Sequence, residues 1–305
     1  MFKNYYALAA TLLCFNFLPD IASAQATTAC SQPDINTDTH GHVNCYSSDG
    51  FQKYTFFQIA LCKEEPTHEN YEQLCDFLLN DNAGNTVELS SSGTSASLTN
   101  GSDVSISEGI YTHAALLIDE RIVLKGAYTF DKPLIGKSKI PGNQCWTTSG
   151  TWNEFYASNP GYGSISDMPF ECGTEAEPEY LFAHYDAFSF SGFDVYAIPN
   201  RVSPTGSYGM YVLDSNKSLP SDGSGDLSGD YLFGLQTFND PIVISPNTRS
   251  IELGFKLTNM FNIETNFRDT RFNNSPADCG RNSRGENACL VMVIPQGFEF
   301  TVTAR

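Results

Sequence analysis

The sequence predicts an all-β sandwich, and three observations carry that expectation. Short runs of alternating apolar and polar residues recur along most of the 305 residues, turn-forming residues separate them, and helical periodicity is almost absent. The clearest run is Arg249–Asn259, RSIELGFKLTN. Ile251, Leu253, Phe255 and Leu257 fall on one face and Glu252, Lys256 and Thr258 on the other, the pattern of a strand with one buried and one wet side.

Taken in order, residues 1–24 read as a signal peptide. Lys3 precedes an apolar run from Tyr5 to Leu18, Pro19-Asp20 breaks it, and Ala22-Ser23-Ala24 has the small-x-small form of a cleavage site. The run is shorter than the ~20 residues a membrane span needs. Residues 25–50 form a polar N-terminal arm without periodicity, in which His40-Gly41-His42 is a weak metal pair beside the plainer reading of a solvated loop. A single sandwich domain is expected over 51–305. Phe51–Cys62 opens it as a strand with apolar residues on both faces. A helical turn capped by Thr67 comes next, then a hairpin turning at Asp81-Asn82-Ala83-Gly84 into Thr86–Ser90. A Ser/Thr/Gly-rich loop covers Ser90–Asp103.

Ser105–Phe130 reads as the central hairpin, turning on Asp119-Glu120-Arg121. Ile118 then lies opposite Ile122, Leu116 opposite Leu124, Ala114 opposite Gly126, Thr112 opposite Tyr128, and Ile110 opposite Phe130. Its expected sheet neighbours are Phe51–Cys62 and Arg249–Asn259. Between about 132 and 180 the pattern dissolves into Gly, Pro, Ser and acidic residues, so this stretch reads as a long insertion. Strand patterns return at Phe188–Ile198, Tyr208–Leu213, Tyr231–Phe238, Ile242–Ile244, Arg249–Asn259, Ala288–Ile294 and Phe298–Thr303.

The net charge of -18 is unchanged by losing 1–24, which removes Lys3 and Asp20 together. Such a balance argues against nucleic acid and anionic membrane surfaces as partners, because both need a basic patch to displace counterions. Of nine cysteines, Cys14 lies in the leader, and the other eight fall into close sequential pairs. Cys30–Cys45, Cys62–Cys75, Cys145–Cys172 and Cys279–Cys289 are therefore the expected disulfides of an exported chain, each worth about 3 kcal/mol in the chain-entropy picture. The bridge Cys145–Cys172 would tie the central insertion down. Export, to the periplasm, the cell surface or the medium, follows, with no integral membrane span after cleavage.

Three segments, Tyr54–Cys62 (YTFFQIALC), Gly109-Ile110-Tyr111-Thr112 and Ile251–Asn259 (IELGFKLTN), resemble a loose group of uncharacterised secreted bacterial β-sandwich proteins, some from marine species. The Gly-x-Tyr-Thr strand start is similar to that of Ig-like and prealbumin-like sandwiches. The resemblance covers Phe51–Phe130 and Tyr231–Asn259 and implies one sandwich assembled from both ends of the chain with the middle inserted. It brings no activity with it.

No nucleophile elbow, zinc motif, phosphate loop or dinucleotide fingerprint occurs, so no catalytic residue is assigned. Glu171, Glu175, Glu177 and Glu179 supply carboxylates for a glycan hydrolase, or simply a solvated acidic loop. Asp214, Asp222, Asp226 and Asp230, spaced by glycine and serine, suit a curled backbone around calcium, or an ordinary linker. Trp146, Trp152, Phe155, Tyr156 and Tyr162 suit a ligand platform for sugar rings, or a plug of the insertion onto the sandwich. The expected function is a secreted or surface-displayed, non-enzymatic structural or adhesive protein. Its partners would be its own copies or surface glycans and proteins, met through the arm or an open sheet edge. A carbohydrate-binding module is the alternative, and a secreted glycan hydrolase a further one.

Overall fold

The computed structural model describes residues 42–47, 50–90, 106–138, 140–153, 170–184, 188–190, 193–195, 197–203, 206–219, 229–257, 261–266, 288–295 and 298–305. The leader, Cys30, Cys279, Phe155, Tyr156, Tyr162, Asp222 and Asp226 lie outside the described residues. Within them the fold is all-β, with one helical turn.

The first half contains β1 (His42–Ser47), β2 (Phe51–Cys62), α1 (Tyr71–Leu74), β3 (Cys75–Ser90), β4 (Gly109–Asp119), β5 (Arg121–Lys125), β6 (Ala127–Ile135), β7 (Pro141–Thr147) and β8 (Gly150–Asn153). The second half contains β9 (Phe170–Gly173), β10 (Leu181–His184), β11 (Phe188–Phe190), β12 (Phe193–Val195), β13 (Ala197–Ser203) and β14 (Gly206–Leu213). Then come β15 (Tyr231–Ile244), β16 (Ile251–Leu257), β17 (Phe261–Asn266), β18 (Ala288–Pro295) and β19 (Phe298–Ala304). A nine-stranded sheet runs β13-β14-β15-β4-β2-β5-β10-β8, with β3 on the other side of β2. A six-stranded sheet runs β1-β17-β18-β6-β7-β9, and β16–β19 and β11–β12 form two-stranded pairs.

Ser105–Phe130 is not a hairpin. β4 and β5 both run antiparallel to β2 and lie end to end along it, Cys62 pairing His113 at one end and Phe51 pairing Lys125 at the other. Asp119-Glu120-Arg121 is a kink in one long strand. A tight reversal there needs a left-handed residue, and Lys217 alone among the described non-glycine residues has positive φ. Instead the Asp119 carboxylate accepts the Arg121 amide at 2.9 Å and its guanidinium at 3.0 and 3.1 Å, closing the kink on itself. The expected turn at Asp81–Gly84 is likewise a bulge. β3 stays antiparallel to β2 on both sides of it, with Phe56 pairing Asn85 and Gln58 pairing Asn80. Gly84 takes φ +80° and the Ala83 amide donates to Asp81 Oδ1 at 2.9 Å. The bulge lies opposite Phe57 and the kink opposite Tyr54 and Thr55, so both irregularities meet the same stretch of β2.

The kink splits the sheet. β4 pairs onward with β15, over Tyr231–Ile244, whereas β5 pairs onward with β10. Ala114, Leu116 and Ile118 point into the main core, Ala115 and Leu117 into a smaller one under α1 with Tyr71 and Phe233. Ile110, placed opposite Phe130 in the expected hairpin, is 58% exposed, while Tyr111 is buried. Ile242–Ile244 is the end of β15 beyond an irregularity at Thr237/Ile242, and no separate strand.

Arg249–Asn259 is also not a sheet neighbour of that strand: β16 pairs with β19 over seven registered residues and packs on the face of the sheet. Its inward set is as the alternation predicts, with Leu253, Phe255 and Leu257 buried and Glu252 exposed. Phe56 meets Phe255 and Phe298 at 5.0 and 5.6 Å, and Tyr54 meets Phe298 edge-on at 4.9 Å. The buried amide of Gln236 in β15 donates to the Phe300 carbonyl of β19 at 2.9 Å, so the layers share a satisfied polar link.

The described parts of the stretch from 132 to 180 are built into both sheets. The end of β6, β7 and β9 belong to the six-stranded sheet and β8 to the nine-stranded one. Two of the four sequential cysteine pairs are joined, Cys62–Cys75 and Cys145–Cys172. Cys45 and Cys289 have their partner positions outside the described residues. Among the described residues no helix is long and apolar enough to cross a membrane.

Candidate binding face

The most distinctive surface lies on the lower fork of the nine-stranded sheet, where β8, β10, β5, β2 and β3 stand side by side. The register lines up Thr151, Phe182, Val123, Lys53 and Glu88 in one row across five strands. Side chains alternate along each strand, so this row faces away from the core. Gln52, Leu124 and Leu181, between the outward residues, are fully buried.

A second row contains Lys125 and Phe51, which are register partners, and Ser90. Tyr180, one residue ahead of β10, completes it. Its ring centroid lies 5.7 Å from that of Phe51, with Lys53 Nζ at 4.7 Å and Lys125 Nζ at 4.8 Å. Tyr180 is 44% and Phe182 46% exposed. Lys53 has Glu88 at 3.5 Å, whereas Lys125 has no acidic partner among the described residues. The face thus combines two open aromatic rings with an unneutralised ammonium.

Neighbouring loops hold Tyr180 in place. The buried Thr147 hydroxyl donates to the Glu179 carbonyl at 2.7 Å, and the Glu179 amide donates to the Thr147 carbonyl at 2.8 Å. The Ser149 amide donates to the Glu179 carboxylate at 2.9 Å and holds that carboxyl below its ordinary range. Leu181 then anchors the strand between two outward rings. The disulfide Cys145–Cys172, two residues before Thr147, fixes β7 to β9.

The expected platform is not assembled as one group. Trp146 is half-buried in the six-stranded sheet, opposite Ala127 and Glu171, while Trp152 lies in β8 of the other sheet, in register with Ala183. Among the carboxylates, Glu171 accepts the Ser138 amide at 2.9 Å and hydroxyl at 2.7 Å, which makes it, like Glu179, a loop staple. Glu175 and Glu177 are exposed. In the calcium set, Asp214 Oδ1 accepts the amides of Asn216 and Ser218 at 2.8 and 2.9 Å and so closes its own turn. The Asp230 amide donates to the Leu213 carbonyl at the same end of β14. Among the described residues no group of three or more His, Cys, Asp or Glu is placed to hold a metal.

A second polar cluster joins β3 to the start of β4. Asp76 Oδ2 accepts the Ser107 hydroxyl at 2.5 Å, its amide at 3.2 Å and the Tyr111 hydroxyl, and Lys63 Nζ donates to Ser107 Oγ at 2.8 Å. The hydroxyls of Ser107 and Tyr111 and the Lys63 ammonium all find partners in it, and the arrangement ties the 106–108 segment beside the Cys62–Cys75 bridge. Burial and the neighbouring Asp76 push the Tyr111 phenol up to about 12, so it stays a hydrogen-bond donor.

Phe51, Lys53, Lys125, Tyr180 and Phe182 did not stand out in the chain as a group. The local signal is present in two places: Phe51-Gln52-Lys53-Tyr54 and Tyr180-Leu181-Phe182 both alternate. What joins them is the pairing of β5 between β2 and β10, which an Asp119–Arg121 hairpin would have forbidden. No protein-family model, curated protein or solved structure matches the chain.

Proposed function

We propose that the chain is a secreted or surface-displayed adhesive protein that acts by binding rather than catalysis, and that it holds saccharide chains on the outer face of the lower sheet fork. The observation that carries this reading is the pair of exposed rings, Tyr180 and Phe182, on the outer face of five paired strands beside Phe51. Aromatic faces next to polar groups suit the apolar faces and hydroxyl rims of sugars. Five paired strands and nearby disulfides preorganise the surface, so little ordering cost opposes binding. The disulfides also favour an oxidising compartment. We read β16–β19 laid over the nine-stranded sheet as the second layer of an Ig-like or prealbumin-like sandwich.

A glycan array with the purified protein tests the reading. Saccharide binding should weaken at least ~10-fold in Tyr180→Ala and Phe182→Ala, while melting stays within the small range of surface substitutions. An array without ligands, or one whose ligands are indifferent to both substitutions, would reject it.

A subunit of an extracellular assembly is the second reading. It is favoured by Ile110 and Val243, cross-strand partners each 58% exposed. Edge addition fits it less well. β3 is interrupted by the Asp81–Gly84 bulge, β13 contains Pro199 and a register shift, and β8 has four residues, all features that blunt strand addition. Electron microscopy of the purified protein, with and without Ile110→Lys, tests for polymers.

A further inference from the structure

We infer that the ligand of this face is an acidic saccharide, one carrying carboxylate or sulfate groups, which places its anion on Lys125 and Lys53 while a sugar ring lies against Tyr180 and Phe182. The inference rests on the saccharide reading above and adds the charge. In a chain with 17 basic residues against 35 acidic ones, a surface chosen at random is acidic. Here two ammonium groups converge on one exposed ring, at 4.7 and 4.8 Å from its centroid, and among the described residues Glu88 is the one carboxylate paired with either of them. In the two outward rows Lys53 and Lys125 stand against the single carboxylate of Glu88 in a strongly negative molecule, and the cations lie next to the stacking surface. Among the described residues Lys125 Nζ makes no ion pair, so its hydrogen-bond donors are open to an anion. A neutral sugar would use the rings and leave the Lys125 charge without an anion. An acidic peptide would use the charges and leave the flat rings without a partner suited to them.

The test compares isosteric ligands on the purified protein by titration calorimetry. Oligogalacturonate is set against its methyl ester, which keeps the backbone and removes the charge, and dextran sulfate against dextran, with polyglutamate as a charge-only control. Affinity for at least one acidic saccharide should exceed that for its neutral counterpart by ~10-fold or more and fall as sodium chloride rises from about 50 to 500 mM. Preference within the two acidic ligands tells carboxylate from sulfate. Lys53→Gln/Lys125→Gln should bind acid and neutral forms alike, with its melting temperature confirming the fold. Equal binding of charged and uncharged partners by the unaltered protein overturns the inference and leaves the saccharide reading standing. Equally tight binding of polyglutamate overturns it as mere charge attraction, and no binding of any saccharide removes both.

Discussion

At the scale of single residues, the polar clusters hold loops at strand ends. Asp76 is the clearest case. Burial alone would raise its carboxyl, but the Ser107 hydroxyl, the Tyr111 hydroxyl and the Ser107 amide together hold it below its ordinary value of 3.8. A carboxyl depressed in the folded state contributes stability that is present above its unfolded value and lost as pH falls through the folded one. Asp76→Asn should therefore be less stable than the unaltered protein near neutral pH, and the two should converge below about pH 4; urea midpoints measured across pH 2–7, on the order of that window, check it. Tyr111→Phe keeps the buried ring and removes one bond to a charged acceptor. It should cost about 1.5–3 kcal/mol with an unchanged urea slope. The Lys217–Glu72 pair, at 2.6 Å between half-exposed groups, belongs with ion pairs worth less than about 1 kcal/mol.

At the scale of elements, the bulges decide how the sheet bends. Gly84 combines φ +80° with a site where a Cβ would come within 2.5 Å of Thr55 Cγ2 and 3.0 Å of the Phe57 ring. Gly84→Ala should destabilise by about 1–2 kcal/mol from the left-handed backbone alone, seen as a lowered urea midpoint. The disulfides act on the same scale. Cys62–Cys75 closes 13 residues beside the second core and Cys145–Cys172 closes 27 beside Thr147. Replacing either pair by serine should cost roughly 3 kcal/mol. Loss of the second pair should also weaken the proposed saccharide binding, because it loosens β7 and, through Thr147, the backbone of Glu179 and Tyr180.

At the scale of the whole molecule, one aromatic cluster couples the layers. Phe56 of the sheet is fully buried against Phe255 and Phe298, and Phe255 packs on Phe300 at 5.2 Å. Phe56→Ala should cost about 3–5 kcal/mol, and calorimetry should register it as a fall in melting temperature of the described core as a unit. Tyr180→Ala, 44% exposed, should leave melting nearly unchanged. That contrast separates the residues that hold the fold from those offered to a ligand.

Strand identity was readable in the chain because alternation is local: β2, β14, β16 and β19 lie close to where the apolar pattern places them, and Leu253, Phe255 and Leu257 face the core it assigns them. The two cysteine bridges were readable for the same reason, since their partners are near in sequence. Turn residues misled because Asp, Asn and Gly report only that a strand is interrupted. At Asp119–Arg121 and Asp81–Gly84 the interruption is a kink and a bulge, and whether the chain reverses there depends on which strand lies alongside. That strand is β2 in both cases. The candidate face depended on the same long-range pairing. Phe182, Lys125, Phe51 and Lys53 come from three separate strands, with Tyr180 just ahead of one of them, and register between strands distant in sequence is set by tertiary packing, on which local composition is silent.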